Sequence, residues 1–246
     1  MFSRLLDTVN LRNLSWLTIG QYLTTALVPP RCLLCDGPGQ RGNELWGLDL
    51  CHWCEAACPP AGEPRRGVAE LVAPPVALDG VRALFLYDDP VDRLITGLKF
   101  RGDLAGARVL GTLLARRLLA QGFRLPQVLV PLPLHAARYR ERGFNQAAVI
   151  AAHVASRTGV PVDSSLLRRV RATAPQTTLS AAERRRNCEG AFSIVPGRHV
   201  PGRIALLDDV MTTGSTAAAA AGALREAGAR HVELWVCAVA SLETSR

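Results

Sequence analysis

Lysine is nearly absent from this sequence, although the chain is strongly basic. Arginine and lysine together number 29 against 21 acidic residues, the formal net charge is +8, and Lys99 is the one lysine. This excess of positive charge favours an anionic partner such as a phosphate or a nucleic acid. A codon bias towards arginine explains the same composition and remains the alternative.

Long apolar runs are also missing. None reaches the ~18 consecutive apolar residues that a membrane-spanning helix needs, and charged and amide side chains interrupt the apolar residues near the start of the chain. We expect neither a signal peptide nor an anchor, and we interpret residues 1–28 as an amphipathic helical leader. The seven cysteines are then expected to be reduced in the cytoplasm, which favours metal binding over disulfides.

Four of the cysteines form two pairs with zinc-site spacing. Cys32 and Cys35 make the first pair, and Cys51 and Cys54 follow after fifteen residues. Two such pairs are typical of a site in which four thiolates surround Zn²⁺ tetrahedrally. The closed coordination sphere leaves no position for water, so this zinc is expected to stabilise the fold. A pair of redox dithiols, or plain buried cysteines, is the alternative.

Composition divides the rest of the chain into three segments. A zinc-binding module covers residues 29–60, and a linker rich in proline and glycine covers 61–80. From residue 81 to 246, short apolar strands alternate with longer helices, which predicts an α/β domain with a mostly parallel sheet flanked by helices. The predicted strands are 81–87, 128–134, 204–210 and 231–241. The predicted helices are 90–100, 107–121, 143–159 and 215–228.

The strand 204–210 ends in two acidic residues, Asp208 and Asp209, and a short turn leads from it into a helix. A helix N-terminus offers unpaired N–H groups and the positive end of its dipole, which suits a phosphate. The two carboxylates can accept hydrogen bonds from ribose hydroxyls at the end of the strand. Alternatively Ser215 is only a helix N-cap and the aspartates are only turn residues.

A basic segment follows the predicted strand 128–134. Arg138, Arg140 and Arg142 come after that strand and before the next helix. Guanidinium groups bind phosphate oxygens in pairs, so this basic turn can hold a diphosphate opposite the ribose. A solvent-exposed charged face is the alternative for any one of these arginines.

Four motifs occur in order along the chain: KFRGD, VPLPLH with RxRERGFNQ, TxxQTxLSxxERRRN and LLDDVMTTGST. They cover most of the chain and resemble the ComF family in its ComFC-type form. In that family a Cys₄ zinc module precedes a domain like the type I phosphoribosyltransferases. Members are linked to natural transformation, the uptake of single-stranded DNA by bacteria. The resemblance implies that the protein binds phosphoribosyl diphosphate (PRPP) together with Mg²⁺.

The resemblance also implies roles for individual residues. Asp208 and Asp209 are the catalytic pair that binds the ribose hydroxyls. The group that holds the 5-phosphate is Met211, Thr212, Thr213, Gly214, Ser215 and Thr216. The group that faces the diphosphate is Arg138, Arg142, Asn145, Gln146 and Lys99. Residues 168–187 correspond to a mobile loop over the site, with Thr173, Gln176 and Arg184 as its site residues.

Three functions remain open from the sequence. The first is a PRPP-binding, phosphoribosyltransferase-like protein that supports DNA uptake, with an unidentified acceptor at the ribose C1. The second is a non-catalytic adaptor for single-stranded DNA that recruits a competence helicase, although aromatic residues for base stacking make up only 5% of the chain. The third is a PRPP-sensing regulator. No glutaminase activity is expected, because the chain begins with Met1 and Phe2 and lacks an N-terminal nucleophilic cysteine.

Overall fold

The computed structural model describes residues 29–41, 47–62, 78–122, 124–171 and 190–240. The chain divides into two compact units, Met1–Ala56 and Ala57–Arg246. The predicted leader, most of the predicted linker and the predicted mobile-loop residues Thr173, Gln176 and Arg184 lie outside the described residues. Within the described ranges, no helix has the length and apolar character needed to cross a membrane.

The elements follow one another in a regular α/β order. Along the chain they are α1 (His52–Ala57), β1 (Gly80–Leu86), α2 (Val91–Arg101), α3 (Leu104–Ala120), β2 (Val128–Pro131), α4 (Ala136–Arg142), α5 (Gln146–Thr158), β3 (Leu167–Arg169), β4 (Phe192–Ile194), β5 (Arg203–Met211), α6 (Ser215–Glu226) and β6 (His231–Val239).

Four strands form a fully parallel sheet in the order β1-β6-β5-β2. Strands β5 and β6 lie at its centre, and the apolar residues 204–207 of β5 are all buried. Near-continuous apolar strands of this kind are typical of parallel sheets that helices cover on both faces. The predicted α/β fold with a mostly parallel sheet is confirmed. Because all four strands are parallel, their carboxyl ends meet at one edge of the sheet.

Hydrogen bonds of the flanking residues fix both ends of helix α5. The side chain of Asn145 at its N-cap accepts a hydrogen bond from the Ala147 N–H, which satisfies one of the unpaired donors of the first turn. Gly159 follows the helix in the left-handed conformation at φ 73° and donates its N–H to the Ala155 carbonyl. The prediction that Gly159 ends this helix is confirmed.

The segment from residue 128 to residue 143 differs most from the sequence prediction. The predicted strand 128–134 ends at Pro131, because Pro131 and Pro133 have no N–H to donate to a ladder. The predicted basic turn is instead the seven-residue helix α4. His135 caps its start by accepting from the Ala137 N–H, and Gly143 ends it at φ 78°.

A two-stranded antiparallel sheet, β3 with β4, flanks the main sheet and packs against α6. The resemblance assigns residues 168–187 to a mobile loop. Arg168 and Arg169, at the start of that range, instead belong to β3, where they pair with Ser193 and Phe192. The remainder of the range, from residue 172 onwards, lies outside the described residues.

Candidate functional site

A cavity of about 430 Å³ opens at the carboxyl edge of the parallel sheet. This edge is where open α/β sheets bind their ligands, because the loops that follow the strands converge there. Residues that follow β1, β2 and β5 all line the cavity, together with the first residues of α5 and α6. Parallel topology therefore brings together side chains that lie more than 100 residues apart in the sequence.

The turn between β5 and α6 forms one wall of the cavity. Gly214 occupies the N-cap position of α6 in the left-handed conformation, at φ 70°. It has no side chain that could accept a hydrogen bond from the N–H groups of the first turn, so α6 begins without a side-chain cap. Ser215, which the sequence left open as an N-cap, is instead the first helical residue, and its hydroxyl lies 3.0 Å from that of Thr213.

Predicted phosphate-binding residues line this wall, with one exception. Those that face the cavity are Met211, Thr212, Gly214, Ser215 and Thr216. Thr213 belongs to the same turn but does not line the cavity. An uncapped helix N-terminus beside hydroxyl groups is an arrangement that binds phosphate through N–H donation and the helix dipole.

The two aspartates lie at the end of β5, and both line the cavity. Asp209 is only 7% exposed, and its carboxylate lies 3.1 Å from the ammonium group of Lys99 on α2. Asp208 accepts a hydrogen bond of 2.9 Å from the backbone N–H of Asp209. One carboxylate is thus paired with a cation, and the other is held by the backbone.

Burial raises the pKa of Asp208 to about 7, and the negative charge of Asp209 acts in the same direction. The charges of Lys99 and Arg169 and the Asp209 N–H oppose this rise without cancelling it. Asp208 therefore changes its charge near neutral pH. Strongly shifted carboxyl groups in a cavity are commoner at functional sites than elsewhere in proteins.

A second wall of the cavity is basic and comes from α4 and the start of α5. Arg138, Arg142, Asn145 and Gln146 line it. Asn145 joins this wall to the end of β2 by donating its side-chain N–H to the Leu132 carbonyl, over 3.0 Å. Arg142 donates to the side-chain oxygen of Gln146 over 3.1 Å, which fixes the orientation of that amide.

Gln146 is 2% exposed, and its side-chain nitrogen has no hydrogen-bond partner within the described ranges. A buried donor without a partner costs about 1–3 kcal/mol. The nitrogen belongs to a residue of the cavity wall, so a ligand that brings an acceptor oxygen here would remove that cost. The basic wall can therefore bind an oxyanion by charge and by a fixed amide donor.

Arg169 also lines the cavity, although the sequence predicted it only as part of the mobile loop 168–187 and not as a site residue. It extends from β3 to the cavity wall, and its guanidinium lies 5.5 Å from the centre of the Phe192 ring on β4. This cation–π contact limits where the guanidinium can go. β3 has only three residues, so no hydrophobic period marks it, and a basic residue beside such a strand gives no sequence signal of its own.

Cys32, Cys35, Cys51 and Cys54 form a cluster in which all four sulfurs lie within 4.8 Å of one another. Sulfurs placed about 2.3 Å from a tetrahedral zinc lie about 3.8 Å apart, and the sulfurs of Cys35 and Cys51 are 3.8 Å apart. The Cys54 N–H points at the Cys51 sulfur over 3.4 Å. The donor set and its spacing fit a structural zinc ion.

The thiols of this cluster differ strongly in acidity. Burial opposes ionisation of Cys32, but hydrogen bonds from the backbone N–H groups of Cys51, Leu34 and Cys35 outweigh it and lower the pKa of Cys32 to about 6. Burial and the three neighbouring thiols raise the pKa of Cys54. A divalent cation stabilises all four sulfurs as thiolates, so metal binding would release protons.

Known proteins resemble this chain over most of its length. The DNA utilization protein YhgH of Salmonella typhi is 36% identical over 228 residues, which cover 85% of this chain and 96% of that protein. Competence protein F of Haemophilus influenzae is 34% identical over 157 residues, which cover 61% of this chain and 68% of that protein. The chain belongs to the ComF family. A comparison with models of protein families found no match.

Membership of the ComF family agrees with the resemblance found in the sequence. Among solved structures, adenine phosphoribosyltransferase from Leishmania donovani is 13% identical and has a TM-score of 0.39, over 65% of this chain and 84% of that one. That score says nothing about the activity of this chain. The chain's own parallel sheet and cysteine cluster match the predicted phosphoribosyltransferase-like fold with a small Cys₄ module.

Proposed function

We propose that the protein binds PRPP together with Mg²⁺ and acts as a phosphoribosyltransferase-like protein of the ComF family. One observation supports this more than any other. The uncapped N-terminus of α6 and the pair Asp208 and Asp209 face the same cavity as a wall of arginines. Groups suited to a phosphate, to two hydroxyls and to a polyphosphate thus line one cavity of about 430 Å³.

Each wall suits one part of PRPP. The first turn of α6 would hold the 5-phosphate through N–H donation and its dipole. Asp208 and Asp209 would accept hydrogen bonds from the ribose hydroxyls. Arg138 and Arg142 would hold the diphosphate by charge-assisted hydrogen bonds. Mg²⁺ prefers to keep several waters and bind phosphate oxygens, so it needs few ligands from the protein.

Transfer of a group at the ribose C1 requires little covalent chemistry from the protein's own side chains. The C1–O bond to diphosphate breaks as positive charge develops on the ribose ring, and an acceptor then bonds to C1. The cavity residues can position both groups and stabilise the leaving diphosphate, which is the electrostatic form of catalysis. Asp208 and Asp209 would then lie beside the ribose ring on which that positive charge develops.

The biological setting follows from the relatives. One is named a DNA utilization protein and the other a competence protein. We extend that setting to this chain and assign it a role in natural transformation, in handling DNA after uptake, with the cytoplasm as its location. The cysteine cluster would serve as the structural zinc module of the same protein.

Single-stranded DNA binding is the second candidate, favoured by a surface at the rim of the basic wall. Phe100 is 71% exposed, the Arg142 guanidinium lies 5.7 Å from the centre of its ring, and Tyr139 on α4 is also exposed. Exposed aromatic rings beside arginines are features of proteins that stack bases and track a phosphate backbone. In this reading the protein is an adaptor that presents the strand to a competence helicase.

Calorimetry separates the two candidates. Zinc-loaded protein is titrated with PRPP and Mg²⁺ and, separately, with a single-stranded oligonucleotide at two salt concentrations. The comparison protein carries Asp208→Asn and Asp209→Asn together, which removes both carboxylate charges but keeps the side-chain size. We expect saturable PRPP binding by the wild type and at least about tenfold weaker binding by the double variant.

The opposite pattern supports the adaptor. Oligonucleotide binding that weakens steeply with salt, with no binding of PRPP to the wild type, would overturn the PRPP proposal. A Phe100→Ala variant then serves as the second comparison. It is expected to weaken oligonucleotide binding more than PRPP binding, because Phe100 does not line the cavity and affects it only through its contact with Arg142.

A further inference from the structure

The buried face of α2 determines how the last turn of that helix is oriented. Four of its apolar side chains lie in the core at helical spacing: Val91, Leu94, Ile95 and Leu98. Gly102 ends the helix in the left-handed conformation, at φ 66°, and donates its N–H to the Gly97 carbonyl. The core contacts and this cap together fix the directions in which the side chains of Lys99 and Phe100 leave the backbone.

Lys99 and Phe100 contact two different walls of the cavity. The ammonium group of Lys99 lies 3.1 Å from a carboxylate oxygen of Asp209, at the end of β5. The guanidinium of Arg142, on α4, lies over the ring of Phe100, with 5.7 Å between the guanidinium carbon and the centre of the ring. The last turn of α2 therefore connects the aspartate pair to the basic wall through two consecutive residues.

Phe100 contributes little to the hydrophobic core. It is 71% exposed, and the free energy gained from burying apolar surface is proportional to the area that is buried. A cation over the face of an aromatic ring, within about 6 Å of its centre, is attracted by the ring's quadrupole. The attraction between the ring and the Arg142 guanidinium thus accounts for an aromatic residue that the core does not require.

Arg142 in turn fixes the amide group of Gln146. A guanidinium can only donate hydrogen bonds, and Arg142 donates to the side-chain oxygen of Gln146 over 3.1 Å. The reversed amide would bring two donors together, so the side-chain nitrogen of Gln146 keeps the other position. This nitrogen has no hydrogen-bond partner among the described residues, although Gln146 is 2% exposed and lines the cavity. Its N–H groups therefore keep one orientation before any ligand binds.

We propose that Phe100 is a positioning residue for the diphosphate-binding wall and that it acts through Arg142. The ring holds the guanidinium, and the guanidinium orients the Gln146 amide, so that both groups present their donors before the diphosphate binds. A site ordered in advance loses less side-chain entropy on binding, which strengthens the affinity. Lys99, one residue earlier, contacts Asp209, so one helical turn positions both walls. This inference rests on the proposed binding of PRPP.

The role of Phe100 is expected to concern the diphosphate end of the ligand and not its 5-phosphate end. Zinc-loaded protein with Mg²⁺ is titrated by calorimetry with PRPP, with inorganic diphosphate and with ribose 5-phosphate. Phe100→Ala is expected to bind PRPP and diphosphate at least about threefold more weakly, as the loss of one exposed cation–π contact implies. Ribose 5-phosphate is expected to keep its affinity, because the first turn of α6 lies on another wall of the cavity.

Further substitutions separate the aromatic face of Phe100 from its bulk. Phe100→Trp keeps an aromatic face and is expected to retain the PRPP affinity of the wild type. Phe100→Leu keeps an apolar side chain without that face and is expected to behave like Phe100→Ala. Leu104→Ala is the matched control, because it truncates an exposed apolar side chain that does not line the cavity. Equal PRPP affinities of the wild type and Phe100→Leu would overturn the inference.

A double-mutant cycle tests whether Phe100 acts through Arg142. Arg142→Gln removes the cation and is expected to weaken PRPP binding by itself. In the Arg142→Gln protein, Phe100→Ala is expected to cause no further loss of affinity, because the ring has no guanidinium left to hold. Residues that act through one contact give such non-additive effects. Additive losses would show that the ring acts on the ligand by another route, and they would overturn the proposal.

The titration of the wild type separates this inference from the proposed function. If PRPP binds the wild type and Phe100→Ala equally well, the positioning role is wrong and the PRPP site stands. If PRPP does not bind the wild type, the proposed function fails and this inference fails with it. Thermal unfolding and the affinity for ribose 5-phosphate show whether each variant is folded, so a lost contact is not mistaken for a lost fold.

Discussion

The ammonium group of Lys99 lies 3.1 Å from a carboxylate oxygen of Asp209. These residues are 110 positions apart, on α2 and β5, and Lys99 is the only lysine of the chain. The pair ties the element after β1 to the carboxyl end of β5. It also balances the charge of a nearly buried aspartate.

Loss of this pair is expected to destabilise the protein. Lys99→Gln leaves the nearly buried carboxyl group of Asp209 without its cationic partner, which should lower the free energy of unfolding by on the order of 2 kcal/mol. Urea denaturation measures the change. Arg101→Gln removes an exposed cation of the same helix and should cost less than about 0.5 kcal/mol. Equal effects of the two substitutions would show that the pair contributes nothing.

Asp208 is expected to make stability depend on pH in an unusual direction. A carboxyl group has a pKa near 3.9 in the unfolded chain, and burial and Asp209 raise that of Asp208 to about 7 in the folded protein. Between about pH 4 and pH 7 the folded state keeps a proton that the unfolded state has lost. The contribution of Asp208 to the free energy of unfolding therefore falls as pH rises through this window.

Asp208→Asn isolates that contribution, because asparagine does not titrate. Urea denaturation of both proteins between pH 4.5 and pH 7.5 gives the difference in free energy of unfolding. The variant is expected to gain stability relative to the wild type as pH rises, and this gain should level off above about pH 7. A difference that stays constant over the whole range would contradict the raised pKa.

Gly214 is expected to be required for phosphate binding beyond its effect on stability. Its left-handed conformation, at φ 70°, makes Gly214→Ala cost about 1–2 kcal/mol of stability. If the 5-phosphate binds at the first turn of α6 as proposed, an added Cβ atom would also obstruct its approach. Calorimetry is expected to show at least about tenfold weaker PRPP binding.

The matched control is Gly159→Ala. Gly159 has φ 73°, and an added Cβ would meet nothing within 4 Å. This variant therefore carries the same backbone strain at the end of α5, away from the cavity. It should lose similar stability and keep its PRPP affinity. An equal loss of affinity in both variants would show that Gly214 acts only through the fold.

The cysteine cluster is expected to bind one zinc ion per chain. Metal analysis of the purified protein should show that stoichiometry, and Cys54→Ser should lose the ion and lower the unfolding temperature. His52 lies between the two ligands of the second pair and is exposed, so His52→Ala should keep the zinc. Retention of a full zinc equivalent by Cys54→Ser would contradict the four-cysteine assignment.

The elements that could be predicted from the sequence have a long hydrophobic pattern or a characteristic residue at one end. β5 is a run of apolar residues that ends in two aspartates, and α5 has a helical period ended by Gly159. The confirmed parallel sheet follows from the alternation of such segments. Helix α4 was missed because seven residues are too few to show a helical period, and its start depends on a histidine cap.

The site could be predicted only where its residues are neighbours in sequence. Asp208, Asp209 and the turn that follows them form one motif, and so do the residues around Arg142. The approach of Lys99 to Asp209 and of Arg169 to the cavity depends on strand order and on the pairing of β3 with β4. Neither leaves a local pattern, so these relationships required three-dimensional structure.

The location of bound PRPP tests the central claim most directly, and a crystal structure of the zinc-loaded protein with PRPP and Mg²⁺ would measure it. The account predicts the 5-phosphate at the first turn of α6, the ribose hydroxyls within hydrogen-bond distance of Asp208 and Asp209, and the diphosphate beside Arg138 and Arg142. A ligand bound elsewhere, or a cavity that stays empty at saturating PRPP, would contradict it.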